Sequence, residues 1–283
     1  MSGVLTVPRE AAGSLAAARR ALRGGYQEDA WGCAPQFIRD VEPLLDVLYD
    51  RWWRVSASGL EHVPASGGVL IAANHAGVVP WDAAMIATAI RRRHGAARHP
   101  RFLVLDWAFE LPWVSVAIRR YGGVPGSQRD ALRLLREGHI VIVFPEGAKG
   151  TGKAWQDRYH LGRFGRGGFV ELALRAGVPV IPAAVVGSEE IHPMVARAPA
   201  ALARLVGAPY LPITPTFPLL GPFGAIPLPS RWRITFAPAV DLRDHGPDAA
   251  GDRALVLDIS ERIRSTIQEQ LEATLVRRRG AFL

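Results

Sequence analysis

The chain has 283 residues, 49% of them apolar and 21% charged, which excludes a disordered or fibrous polymer and fits one large domain with a continuous core. The formal charge of +8 and a pI near 10.4 point to an anionic partner: nucleic acid, an acidic bilayer surface, or a phosphate-bearing or thioester-nucleotide substrate. A single cysteine, Cys33, excludes an internal disulfide, and a small inert apolar side chain is its simplest role.

The opening residues MSGVLTVPREAAGSLAAARRAL lack the compact apolar stretch and small-residue cleavage pattern of an export signal. This argues against export, and residues 1–36 read as an N-terminal extension. Next, Phe37, Val41, Leu44, Leu45, Leu48 and Trp52 recur at three- and four-residue steps, which predicts an amphipathic helix over residues 37–54. Packing on the core is its expected use, and its closing Arg51, Trp52, Trp53 and Arg54 also suit a lipid headgroup layer. Across residues 55–245, apolar runs predict strands at 69–73, 102–105, 140–144, 178–184 and 233–237. Helical patterns lie between them at 82–92, 112–120, 129–137 and 167–176. Such alternation predicts an α/β fold: a mixed, partly parallel central sheet flanked by helices, with functional loops at the strand C-terminal ends.

The longest uncharged run, residues 205–230, is long enough to cross a bilayer, but Pro209, Pro212, Pro215, Pro218, Pro222, Pro227 and Pro229 exclude a spanning helix. It reads as an extended apolar loop over the core, or as an apolar surface resting on lipid or lining an acyl-chain groove. Finally, Leu255, Ile259, Ile263, Ile267, Leu271 and Leu275 at four-residue steps predict an amphipathic C-terminal helix over residues 251–279. The helix dipole accounts for Arg277, Arg278 and Arg279 at its end, and for Arg91, Arg92 and Arg93 at the end of an earlier helix. No aromatic-basic sheet motif, zinc spacing or helix-turn-helix pattern appears, so nucleic acid is not an expected partner.

The stretch VIVFPEGAKGTGKAW, residues 141–155, admits two readings. Its glycines and lysine, Gly147 to Lys153, satisfy the spacing of a nucleotide-binding P-loop after an apolar strand. Against this, Ala154 stands where a magnesium-binding hydroxyl is needed, and the following AWQDRYHLGRFGRGG has no helical period. The same run also gives FPEG. Upstream, AANHAGVVPWDAAM places His75 directly after a strand with Asp82 beyond it; downstream, VPVIPAAVVG forms a third strand pattern.

As a set these blocks resemble the glycerolipid acyltransferases typified by 1-acylglycerol-3-phosphate acyltransferases, over about residues 53–240. His75 and Asp82 look like the catalytic first motif, GGVPGSQR with Gly123 and Arg129 like the second, Phe144 to Gly147 match the third, and VPVIPAAVVG looks like the fourth. The loop AGVVPW between His75 and Asp82 is longer than in the family's common first motif, with Gly77 and Pro80 as plausible turn residues.

The resemblance implies a single acyltransferase domain over residues 37–283: a leading helix (37–54), an α/β core (55–245) and a C-terminal helix (251–279). His75 is then the general base that takes the hydroxyl proton, and Asp82 the acid that orients it. The acyl group passes directly from an acyl-CoA or acyl carrier protein thioester, used as co-substrate, to a glycerolipid hydroxyl. Neither a metal nor a bound cofactor is expected. Arg129 would offer forked donors to an acceptor phosphate, and Glu146 and Gly147 would organise the acceptor site. Arg166, at the expected start of a helix, and Lys149, just after FPEG, would add anion-binding charge, with Lys153 extending that field or simply solvated. The implied location is peripheral, on the cytoplasmic side of a membrane whose lipid surface is a partner. Two alternatives stand beside this reading: an acyltransferase for a non-phosphate alcohol, and a catalytically silent lipid-binding protein on the same fold.

Overall fold

A run such as VLIAA has no polar face and is stable only with a packed layer on each side. The computed structural model, which describes residues 25–76, 81–110, 114–205, 210–278 and 280–282, provides those layers. Helix α1 (Pro35–Val47) continues through a π-helical turn (Leu48–Trp52) to β1 (Ser56–Ser58), β2 (Val69–Ala73) and helix α2 (Trp81–His94). There follow β3 (Arg101–Val104), the short helices α3 (Trp107–Glu110) and α4 (Val114–Arg120), β4 (Gly123–Pro125), α5 (Gln128–Arg136) and β5 (Ile140–Val143). Beyond them lie α6 (Ala148–Thr151), α7 (Gly168–Ala176), β6 (Val180–Val186), a ribbon of β7 (Ala196–Arg197) and β8 (Pro212–Ile213) spanned by α8 (Ala200–Leu205), then β9 (Arg233–Phe236) and α9 (Arg253–Arg277).

Seven strands form one sheet in the order β1-β9-β6-β2-β5-β3-β4. The five strands from β6 to β4 run parallel, β9 is antiparallel to β6, and β1 is parallel to β9. The sheet is therefore mixed and mostly parallel. The side-chain period of two divides β2 between two cores. Leu70 and Ala72 face a layer with Leu134 and Leu135 of α5, Val170 of α7, and Ile263 and Ile267 of α9. Val69, Ile71 and Ala73 face the opposite layer, with Met85, Ile86 and Ile90 of α2 and Trp53 and Trp232. Burying each large aliphatic side chain contributes about 1.5–3 kcal/mol relative to exposure.

The five strands expected from apolar runs are present within a few residues of their expected ends, as are the helices. The short β1, β4, β7 and β8 carry no apolar run to announce them. The leading helix departs from its expected face. Its buried residues are Phe37, Ile38 and Leu45, followed by Tyr49 within the π-helical turn and Trp53 just after it. Leu44 is 55% exposed, because the buried stripe runs through Ile38, Leu45, Tyr49 and Trp53 and leaves Leu44 beside it. Trp53, grouped with the headgroup-suited residues above, instead stacks on Trp232 in the core, ring centroids 4.7 Å apart.

The helix-end arginines do more than answer a dipole. Arg91 pairs with Glu42, and Arg92 with Asp46 (2.5 Å) and Asp50 (2.7 Å), tying α2 to α1. Arg278 forms a buried two-pronged ion pair with Glu190, at 2.5 and 2.7 Å. Among the described residues no helix is long and apolar enough to cross a membrane. Residues 1–24 of the N-terminal extension, and the expected turn residues Gly77 and Pro80, lie outside the described residues.

Candidate active site

In a parallel sheet every strand delivers its following loop to the same edge. Thus Asn74 and His75 after β2, FPEG after β5, Gly187 to Glu190 after β6, and Arg129 at the start of α5 after β4 all belong to one side of the molecule. Asn74 is fully buried and acts as a ladder rung where β2 leaves the sheet: its amide donates to the Val185 carbonyl at 2.9 Å and accepts from the Val185 N–H at 2.7 Å. That double bond fixes the direction in which the next residue, His75, departs.

The longer loop does return the carboxylate to the imidazole. His75 Nδ1 lies 2.7 Å from Asp82 Oδ2. The same oxygen accepts the Ala76 N–H at 2.9 Å, and Oδ1 accepts the Ala83 N–H at 2.8 Å. Asp82 is wholly buried in the first turn of α2, where exposed helix amides favour a negative charge. A carboxylate only accepts, so Nδ1 is the donor in this contact and Nε2 is the ring nitrogen left outside it. The ring is held from the side by Phe144 of FPEG, stacked at 4.1 Å with a 19° interplanar angle. The imidazole side chain is 13% exposed.

Glu146 turns inward. One oxygen accepts the Gly162 N–H at 2.8 Å and the other meets Lys153 Nζ at 3.0 Å. Lys153 also lies 3.6 Å from Glu189, whose carboxylate accepts the Tyr159 N–H at 2.9 Å. Burial raises the Glu189 carboxyl to about 7 despite the nearby Lys153 cation. Lys153 is therefore neither a solvated charge nor a P-loop lysine; two carboxylates from two loops neutralise it. Gly147 has φ 58° and ψ −145°, a region that side-chain-bearing residues avoid. At Gly150 a Cβ would lie 3.0 Å from Glu146 Cβ and 3.3 Å from His75 Cβ, so any larger residue there would crowd both side chains.

The cationic candidates sit further out. Arg129 and Arg166 are exposed, and neither side chain has an ion-pair partner within 4 Å among the described residues. Arg166 precedes Gly167, the N-cap position of α7. The side chain of Lys149 lies outside the described residues. Beside the histidine a cavity of about 240 Å³ runs from Ala76 and Gly150 to Met194, Leu211, Phe217 and Ala225, so the proline-rich run supplies one wall. Sequence reasoning missed the Asn74 bridge, the Phe144 stack and the Lys153–Glu189 contact. The FPEG motif contained the signal for Phe144, whereas nothing in the linear chain links Lys153 to Glu189.

The α/β sheet thus presents, at its parallel edge, a carboxylate-held histidine beside an aromatic-walled FPEG turn. Residues 54–186 match the Acyltransferase family. An uncharacterised protein of Mycobacterium leprae is 45% identical over 265 residues, 93% of this chain and 72% of its own length, and one of Mycobacterium tuberculosis is 45% identical over 93% of this chain and 74% of its own. A human protein named DGAT1/2-independent enzyme synthesizing storage lipids is 26% identical over 58% of this chain and 48% of its own. The fold matches the crystal structure of the 1-acyl-sn-glycerophosphate acyltransferase of Thermotoga maritima with a TM-score of 0.58 and 17% identity, covering 96% of this chain and 98% of that one. The chain belongs to the acyltransferase family, as its resemblance to the glycerolipid acyltransferases implied.

Proposed function

We propose that this acyltransferase is a peripheral membrane enzyme that moves an acyl chain from an acyl-CoA or acyl carrier protein thioester to the hydroxyl of a glycerolipid acceptor such as lysophosphatidic acid. The observation that carries the reading is the 2.7 Å contact between His75 Nδ1 and the buried Asp82, which leaves Nε2 as a base beside a largely apolar cavity. Nε2 takes the acceptor's hydroxyl proton as that oxygen attacks the thioester carbonyl carbon. The new C–O bond forms, the C–S bond breaks, and the thiolate leaves with the proton returned from the imidazolium. Asp82 stabilises the transient imidazolium and holds its tautomer. Glu146 shapes the site by clamping the loop to Gly162 and Lys153, while Arg129 and Arg166 stand at the same edge as candidate phosphate contacts, with Lys149 beside FPEG.

A non-phosphate alcohol acceptor is the second reading, and Lys153 favours it: of the two lysines following FPEG, this one is paired with Glu146 and Glu189, and a relative bears a storage-lipid name. A silent lipid-binding role would need a misaligned first motif, which the His75–Asp82 contact does not support. The test is thiol release from a long-chain acyl-CoA or acyl carrier protein, with lysophosphatidic acid, monoacylglycerol or diacylglycerol as acceptor, beside His75→Ala and Arg129→Ala. Release that needs acceptor and disappears in His75→Ala is the expected result. A higher KM in Arg129→Ala confined to the phosphorylated acceptor would assign the phosphate contact; release retained in His75→Ala would remove the base assignment.

A further inference from the structure

We propose that the loop of residues 214–228 is the element that inserts this protein into an anionic bilayer, bringing the cavity beside His75 against the lipid. The inference deepens the peripheral-membrane reading above and rests on it. Six of the fifteen large apolar side chains exposed among the described residues fall between residues 195 and 226. Four of them crowd the loop tip: Leu219 is 83% exposed, Leu220 56%, Phe223 73% and Ile226 51%. On its other side the same loop presents Thr214, Phe217, Gly224 and Ala225 to the cavity.

Three features identify the occupant as a bilayer. First, a loop entering hydrocarbon must satisfy its own backbone, and this one largely does. Leu220 N–H bonds to the Thr216 carbonyl and Gly221 N–H to that of Pro218, both at 2.8 Å, and Ile226 N–H bonds to that of Phe223 at 3.1 Å. The Thr214 hydroxyl accepts the Phe217 N–H at 2.9 Å, and Pro215, Pro218, Pro222 and Pro227 bring no N–H at all. Second, the stem is ordered as a membrane interface is. Just behind the tip the half-exposed Trp52 donates its indole N–H to the Pro227 carbonyl at 2.9 Å. Behind that, Arg54 binds the Pro229 carbonyl at 2.8 Å, and Arg51 and Arg231 are exposed nearby in the chain. Apolar tip, then tryptophan, then arginine is the sequence of hydrocarbon, interface and anionic headgroup. Third, between Ile191 and Val240 the chain carries four arginines and no carboxylate, so nothing on this segment repels an anionic surface.

The experiment is sedimentation of the full chain with vesicles of phosphatidylcholine and phosphatidylglycerol, and with phosphatidylcholine alone. Wild type, Leu219→Glu/Phe223→Glu and, as a control on the other exposed apolar face, Leu44→Glu/Val47→Glu are compared. The expected result is binding that prefers the anionic vesicles, falls about a hundredfold in the loop variant and is unchanged in the α1 variant. Phe223→Cys carrying an environment-sensitive dye, with Cys33 buried and protected, should shift its emission to the blue on the same vesicles. Wild-type binding that persists in the loop variant, with no dye shift, overturns the inference and leaves the membrane reading intact. Wild type that binds no vesicle overturns both, while thiol release from detergent-dispersed substrates still reports acyl transfer separately. A lipid-free dimer that the loop substitutions dissociate would give the patch to a second copy and overturn the proposal.

Discussion

Replacing Lys153 by Met isolates the buried charge cluster that holds the FPEG turn. The lysine side chain is 12% exposed and lies between Glu146 and Glu189, whose side chains are 2% and 5% exposed. Removing one partner of such a cluster costs about 3–5 kcal/mol, because the remaining charge stays buried. Here the lower end is expected, about 3 kcal/mol near pH 8, since each carboxylate keeps one backbone N–H, from Gly162 and Tyr159. The dependence on pH follows from Glu189. Its folded carboxyl is already raised to about 7 from 4.5 by burial, so the stability linked to it is fully present below 4.5 and lost as pH rises towards 7. Without Lys153 the folded value rises further, and the loss continues beyond 7. The deficit of Lys153→Met relative to wild type should therefore be smallest near pH 5 and widen above 7 by up to about 1.4 kcal/mol per pH unit. Urea unfolding across that range measures it, and Lys153→Met/Glu189→Gln should recover much of the loss. A deficit below about 0.5 kcal/mol near pH 8, small enough for an ordinary surface substitution, or one that narrows as pH rises, would refute the reasoning.

Asp82→Asn should lower kcat by roughly a hundredfold or more with little change in KM, because an amide can hold the imidazole in the wrong tautomer; steady-state thiol release reads this. Asn74→Ala orphans the Val185 N–H and carbonyl and should cost about 2–3 kcal/mol in urea unfolding. Burial lowers the His99 imidazole to about 3, so its contribution is fully present above 6.5 and declines as pH falls from 6.5 towards 3. The stability difference between wild type and His99→Gln should shift across that window by up to about 1.4 kcal/mol per pH unit, and an unchanged difference would show that His99 titrates normally.

The sequence determined the framework because its signals are local. VLIAA, IVIV and VIPAAVV are strands since their apolar, β-branched character demands two packed faces, and the four-residue apolar steps of residues 255–275 specify a helix without help from its neighbours. FPEG and the histidine at a strand end carried the acyltransferase reading for the same reason: each motif is contiguous. Tertiary structure decided what depends on distance between segments. The spacing of His75 and Asp82 left their pairing open, and the start of α2 with the Asn74 rung brings them to 2.7 Å. Lys153 reads in the chain as a charge for solvent or phosphate, yet the turn after β6 places Glu189 beside it and makes it internal. The proline-rich run is one apolar stretch in the sequence; folding divides it into a cavity wall and an exposed tip. Periodicity is written residue by residue, whereas the pairing of charges and the facing of loops arise only when the parallel sheet delivers separate segments to one edge.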